Sequence, residues 1–218
     1  MKRRIDPVLA ASLVLALLTL CVPFVRVVLL PVEFLNTLVH EFCHATMAVL
    51  TGGHVIGVSI ESDTSGLTLT QGGISFLISI AGYLGASGLG SAILASSHKP
   101  SAKWWLGGLA VSIGLGSVMW MKWSLLSIGL VILWVALLGY AASQPWAGAA
   151  ATFVGVQLAF NAVRSAVDLI NLSRFVPSDA LNASKATFLP PVVHSLVWAG
   201  LSILWAGLAL RARAKSQA

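Results

Sequence analysis

Long apolar runs, broken by short polar or proline-containing stretches, succeed one another along the chain, and most approach the roughly 20 residues that a bilayer-crossing helix needs. The runs and their breaks predict helices at about 7 to 25, 28 to 50, 73 to 96, 104 to 120, 124 to 142, 147 to 167 and 190 to 211. Six or seven spans follow, because the first two helices, on either side of the stretch from Pro23 to Pro31, can merge or re-enter. Lys99-Pro100-Ser101 and Gln144-Pro145 interrupt the helical pattern, and Trp104, Trp105, Trp120, Trp123 and Trp146 fall at run ends, where aromatic belts form. Small residues in Gly82-Tyr83-Leu84-Gly85-Ala86 and between Gly107 and Gly116 let helix backbones approach closely in lipid.

Two regions leave this pattern. Between Gly52-Gly53 and Gly72-Gly73, the alternating runs His54 to Glu61 and Leu67 to Thr70 flank Ser62-Asp63-Thr64-Ser65-Gly66, which predicts a β-hairpin over about 53 to 72. An open sheet edge cannot face lipid, so the hairpin belongs at the interface or in a cavity, where its edge can take an extended peptide as an added strand. The second region, about 164 to 188, mixes charges with Asn171, Pro177 and Asn182 and reads as a loop with room for a short helix. The expected fold is an all-α polytopic membrane protein, residues 1 to 218 forming one domain, with a β-hairpin inserted after the second predicted helix. No internal repeat of the kind that marks many transporters is visible.

Composition supports the membrane reading. Hydrophobic residues make up 57% of the chain and charged ones 9%, more apolar surface than a soluble domain hides from water. The net charge of +6 comes from basic residues at the termini and between apolar runs rather than in a stripe, which argues against nucleic acid as a partner. Lys2, Arg3 and Arg4 predict a cytoplasmic N-terminus in the plasma (inner) membrane. The opening stretch resembles a signal peptide, but no small-residue cleavage site precedes Pro23, so it is expected to stay as the first helix. Seven spans would place Arg211, Arg213 and Lys215 outside, against the positive-inside rule, whereas six would not. Cys21 and Cys43 lie in apolar runs and form no evident disulfide framework.

The chemistry centres on His40-Glu41-Phe42-Cys43-His44. Residues four apart share a helix face, so both imidazoles can reach one metal ion while Glu41 projects close by. That is the arrangement of zinc hydrolysis, in which a water bound in an open position is deprotonated by the glutamate, which then protonates the leaving amine. In an apolar helix a carboxylate flanked by imidazoles is costly unless it is paired, metal-bound or functional.

A third ligand is to be found among few residues. Asp6 sits in the basic tail and His98 beside Lys99, so both are expected to be solvated, and Glu33, two turns before His40, is expected to support a ligand from outside. Glu61 and Asp63 are expected at the hairpin turn, His54 in its first strand, and His194 as a hydrogen-bonded residue of the last helix. Asp168 and Asp179 remain, Asp168 with the competing option of pairing with Arg164 four residues earlier, and Asp179 with that of capping a helix.

These residues resemble the site-2 proteases, intramembrane zinc metallopeptidases that cut substrate helices within the bilayer. Leu38 to Ala45, with Thr51-Gly52-Gly53 and the hairpin, looks like the family's zinc helix and the β-structure after it. Ala81-Gly82-Tyr83-Leu84-Gly85 is similar to a glycine-containing signature on the next helix, and Asn171 to Asp179 to the segment that supplies the third ligand. Ser178-Asp179-Ala180 stands where members often have Leu-Asp-Gly, the mark of a divergent, compact branch. The resemblance implies one Zn2+ per chain held by His40, His44 and Asp179, with Asp168 as the alternative, Asn171 pairing with substrate backbone, and a membrane-anchored protein as substrate. The competing function is a non-catalytic scaffold, or a metal carrier with a relic site. A carrier needs polar groups along a path, and between residues 104 and 142 only Lys122 is charged.

Overall fold

The computed structural model describes residues 6–172 and 178–216, without the side chains of Asn171 and Leu172. Nine helices and two strands are formed by these residues. They run in the order α1 (Pro7–Cys21), α2 (Pro23–Val28), α3 (Leu30–Leu50), β1 (His54–Ile60), β2 (Gly66–Gln71), α4 (Ser75–Ser96), α5 (Ala102–Trp120), α6 (Leu125–Ser143), α7 (Ala147–Leu172), α8 (Asp179–Thr187) and α9 (Pro191–Ser216). Prolines explain the first boundaries. Pro7, Pro23 and Pro31 each stand in the opening turn of a helix, where the missing N–H costs nothing and the fixed φ suits helical backbone. The two helices expected at 7 to 25 and 28 to 50 are therefore three, with the short α2 between them.

Four helices, α4, α6, α7 and α9, are long and apolar enough to cross a membrane, and α1 is a shorter apolar helix. The chain is thus an integral membrane protein, with fewer such helices among the described residues than the six or seven spans expected. The difference lies chiefly in α3 and α5. α3 carries Glu33, Asn36, His40, Glu41 and His44, and α5 opens with Lys103, Trp104 and Trp105 and ends on Trp120, so neither matches the hydropathy of those four helices despite its length.

α4 is the axis of the bundle. It runs antiparallel to α7, and a Cβ at Gly90 would stand 2.5 Å from the Ala159 nitrogen while one at Gly155 would stand 2.7 Å from that of Leu94, so the two backbones nearly touch. In α5 the small residues act less uniformly: Gly116 meets the Phe42 ring, whereas Gly108 faces open space.

Asp6, expected to be solvated, caps α1 through the amides of Val8 and Leu9, and its carboxylate accepts from Arg213 at 2.5 Å. The Arg213 guanidinium is 4% exposed and donates also to the Ser97 hydroxyl and the Leu94 carbonyl. His98, likewise expected in solvent, pairs through Nε2 with the Ser216 hydroxyl at 2.7 Å. The start of α1 and the end of α9 therefore lie at the same end of the bundle, so the basic C-terminal tail leaves on the face where α1 enters.

The hairpin is antiparallel, with a bulge between Val55 and Gly57. Gly52 and Gly73 close it onto the helices at φ +83 and +77, a backbone region open to glycine. On one side the Lys122 amide donates to the Val58 carbonyl at 2.7 Å, which occupies part of the outer edge of β1. α3 packs against both strands. The irregular region is shorter than expected, because α7 runs on past residue 167 to Leu172 and α8 begins at Asp179.

Candidate metal centre

α3 supplies two imidazoles one turn apart, and α8 brings a carboxylate to them. His40 Nε2 and His44 Nε2 are 3.0 Å apart, and Asp179 Oδ2 lies 3.3 Å from the first and 3.1 Å from the second. Among the described residues these three form a group whose donor atoms could hold a metal ion. α8 is held in place by Ala180 and Ala183, both fully buried against a cluster that includes Leu169, Trp198 and Tyr83. Tyr83 meets the His40 ring edge-on at 4.7 Å and stacks on Trp198 at 5.1 Å, so the imidazole is braced by an aromatic pair.

The donor chemistry fits a cation. His44 Nδ1 lies 2.6 Å from the Ile78 carbonyl oxygen, which can only accept, so Nδ1 holds a proton and Nε2 is the nitrogen whose lone pair can turn to a metal ion. That lone pair faces a carboxylate oxygen and a second imidazole nitrogen, a convergence that is repulsive unless a proton or a metal ion is shared. Ligands about 2.1 Å from a tetrahedral ion stand roughly 3.4 Å from one another, close to the separations found here. The site also needs Gly82, since a Cβ there would collide with Nε2 of both histidines.

Glu41 is 5% exposed, and the hairpin fixes it. Thr68 Oγ1 lies 2.6 Å from Glu41 Oε2, and a Cβ on Gly66 would stand 2.6 Å from Oε1. Thr37, one turn before Glu41, donates to the Thr64 carbonyl at 2.7 Å and ties the turn of the hairpin to the same helix. Sequence reasoning missed Thr68, Gly66 and the Ile78 carbonyl, because each acts across a tertiary contact. Gly82 carries a signal in the sequence, both in a small-residue stretch suited to helix packing and in the stretch similar to the family's glycine-containing signature, but neither points to its contact with the two imidazoles.

The remaining candidates lie elsewhere. Asp168 is exposed and outside the converging group, and Arg164, the pairing open to it along α7, bonds Glu33 at 2.9 Å instead. Glu33 is 6% exposed and also takes Arg26 at 3.2 Å, so burial of this carboxylate, rather than spacing along α7, decides where Arg164 goes, and Glu33 serves the arginines instead of a ligand. Ser178, not Asp179, caps α8, accepting from the Leu181 amide at 3.3 Å, which leaves the aspartate free to face the histidines. His54 pairs with Gln71 across the hairpin, His194 with the Thr187 hydroxyl, and Asp63 with Ser65 within the turn. Asn171 falls in the last turn of α7, and its side chain lies outside the described residues.

A helical membrane protein in which two histidines and an aspartate converge so as to be able to hold a metal ion has the build of a membrane-embedded metallopeptidase. The chain belongs to the Peptidase M50B-like family, whose model matches residues 10–209, and the resemblance to the site-2 proteases holds at the level of the family. No curated protein and no solved structure matches the chain.

Proposed function

We propose that the chain hydrolyses peptide bonds of membrane-anchored protein substrates, with Zn2+ held by His40, His44 and Asp179 and with Glu41 as general base and acid. The observation that carries this reading is the convergence of two imidazole nitrogens and a carboxylate oxygen from separate helices, next in sequence to a buried glutamate fixed by the hairpin. When bound, the metal supplies an acidified water and a Lewis acid for the scissile carbonyl. His44 keeps Nε2 available by giving its Nδ1 proton to Ile78. Glu41 takes the proton of the attacking water and delivers it to the leaving amine, while the Thr68 hydroxyl holds one carboxylate oxygen and leaves the other to act. A substrate cut here must be unwound from helix, and β2 offers an edge for it beside Glu41. Adding a strand there brings the extended backbone to the catalytic glutamate.

The reading is tested by metal analysis and cleavage together. Wild type and Asp168→Ala should carry one zinc per chain, and Asp179→Ala much less. Glu41→Gln should keep zinc while cleavage of a membrane-anchored substrate falls by about 10³-fold. Full zinc in the Asp179 variant would end the ligand assignment, and cleavage by the Glu41 variant would end that of the base.

A further inference from the structure

A polar cavity of about 770 Å³ opens at the end of the bundle opposite the metal-ligand group. Gly82, beneath the histidines, and Ser97, in the cavity wall, are separated along α4 by about 22 Å at 1.5 Å per residue. Here α4, α6 and α9 end while α1, α5 and α7 begin.

The charge of this cavity is one-sided. Asp6, His98, Lys99, Lys103 and Arg213 line it, and the one carboxylate among the described lining residues is already engaged by Arg213 and by the cap of α1. Lys99 and Lys103 are exposed and make no ion pair among the described residues. The first turns of α5 and α7 hold no acidic residue, and Ser101 makes no side-chain capping bond to α5, so no first-turn carboxylate offsets the positive end of either helix dipole. Two buried nitrogens in the wall, Arg213 Nε and His98 Nδ1, have no hydrogen-bond partner among the described residues. Burial, together with the charges of Arg213 and Lys99, holds the His98 imidazole below its ordinary value, as a positive field requires.

We infer that this cavity binds a phosphate group of an anionic ligand through Lys99, Lys103 and His98. Phosphate suits the site because its several oxygens can take donors from more than one side, and because helix N-termini favour it. Trp104 and Trp146, 73% and 48% exposed, flank this end at the level where interfacial aromatics and phospholipid phosphates meet. The same phosphate chemistry can come from the headgroup of an anionic phospholipid or from a soluble phosphate compound.

The full chain, reconstituted in phosphatidylcholine nanodiscs, is titrated with short-chain phosphatidylglycerol and, separately, with inorganic phosphate. Binding is compared with a Lys99→Ala/Lys103→Ala variant whose melting temperature is checked against wild type. Saturable binding of either probe, weakened about tenfold in the double variant, is the expected result. Saturation by the lipid alone assigns a headgroup site, and saturation or competition by inorganic phosphate assigns a site for soluble phosphate. Equal binding by wild type and variant, or no saturable binding of either probe, overturns the inference. Because both lysines are exposed, Lys99→Gln/Lys103→Gln serves as a second variant with the side-chain stems kept.

Discussion

α3 and α6 are similar in length and lie in the same bundle, yet they solve the membrane problem in opposite ways. α6 has no ionisable side chain except Tyr140 and turns Ile128, Ile132, Leu133 and Leu137 outward. α3 buries Glu33, Asn36, Glu41 and His44. Glu33, Glu41 and His44 are each met by a group from another element: Glu33 by Arg26 and Arg164, Glu41 by Thr68, and His44 by the Ile78 carbonyl and Asp179. A polar residue in lipid is tolerated where the fold supplies its partner. The position of a helix in the bundle thus matters more than its own hydropathy.

Mutations can break that contrast on the α3 side, the largest effect coming from Gly82→Ala. The added Cβ displaces both imidazoles, and zinc affinity should fall by roughly 100-fold, as read by competition with a chelator. Arg164→Met leaves Glu33 with only the half-exposed Arg26 and should cost about 2 kcal/mol in thermal unfolding. Replacing Glu33 by Leu in the same chain should restore most of that loss, and no restoration would show that Arg164 serves something other than the buried carboxylate. Thr68→Val removes the hydroxyl on Glu41 and should lower kcat about tenfold with zinc content and KM unchanged.

The smallest effect sharpens the comparison from the other side. Ile132→Ala on the outward face of α6, where the side chain is 64% exposed, should change the melting temperature very little, within about 0.5 kcal/mol. A large loss there would mean that α6 is covered by a partner rather than by lipid.

Much of the helical layout was legible because apolar run length and proline breaks are local signals. Leu125–Ser143 and Ser75–Ser96 fall within about two residues of the ranges read from the runs. The start of the chain was less legible, since Pro23 and Pro31 divide a nearly continuous apolar stretch by backbone chemistry rather than by polarity. The partner of Arg164 was not legible for a related reason. An aspartate four residues along the helix is a local prediction, and a buried glutamate on another helix is a stronger competitor that spacing cannot reveal.

By itself the sequence determined that this chain lives in a membrane, that His40, Glu41 and His44 share one helix, and that a hairpin follows them, because composition, helical period and strand alternation are local properties. Only the tertiary structure brought one of the two aspartates, Asp179, beside the histidines. That placement depends on where α8 docks, and that is set by Ala180 and Ala183 fitting against Trp198 and Tyr83 while Asp168 is left on an exposed face. It also decided what holds Glu41, since the hydroxyl and the glycine that do so come from the hairpin, across a contact that no spacing along the chain encodes.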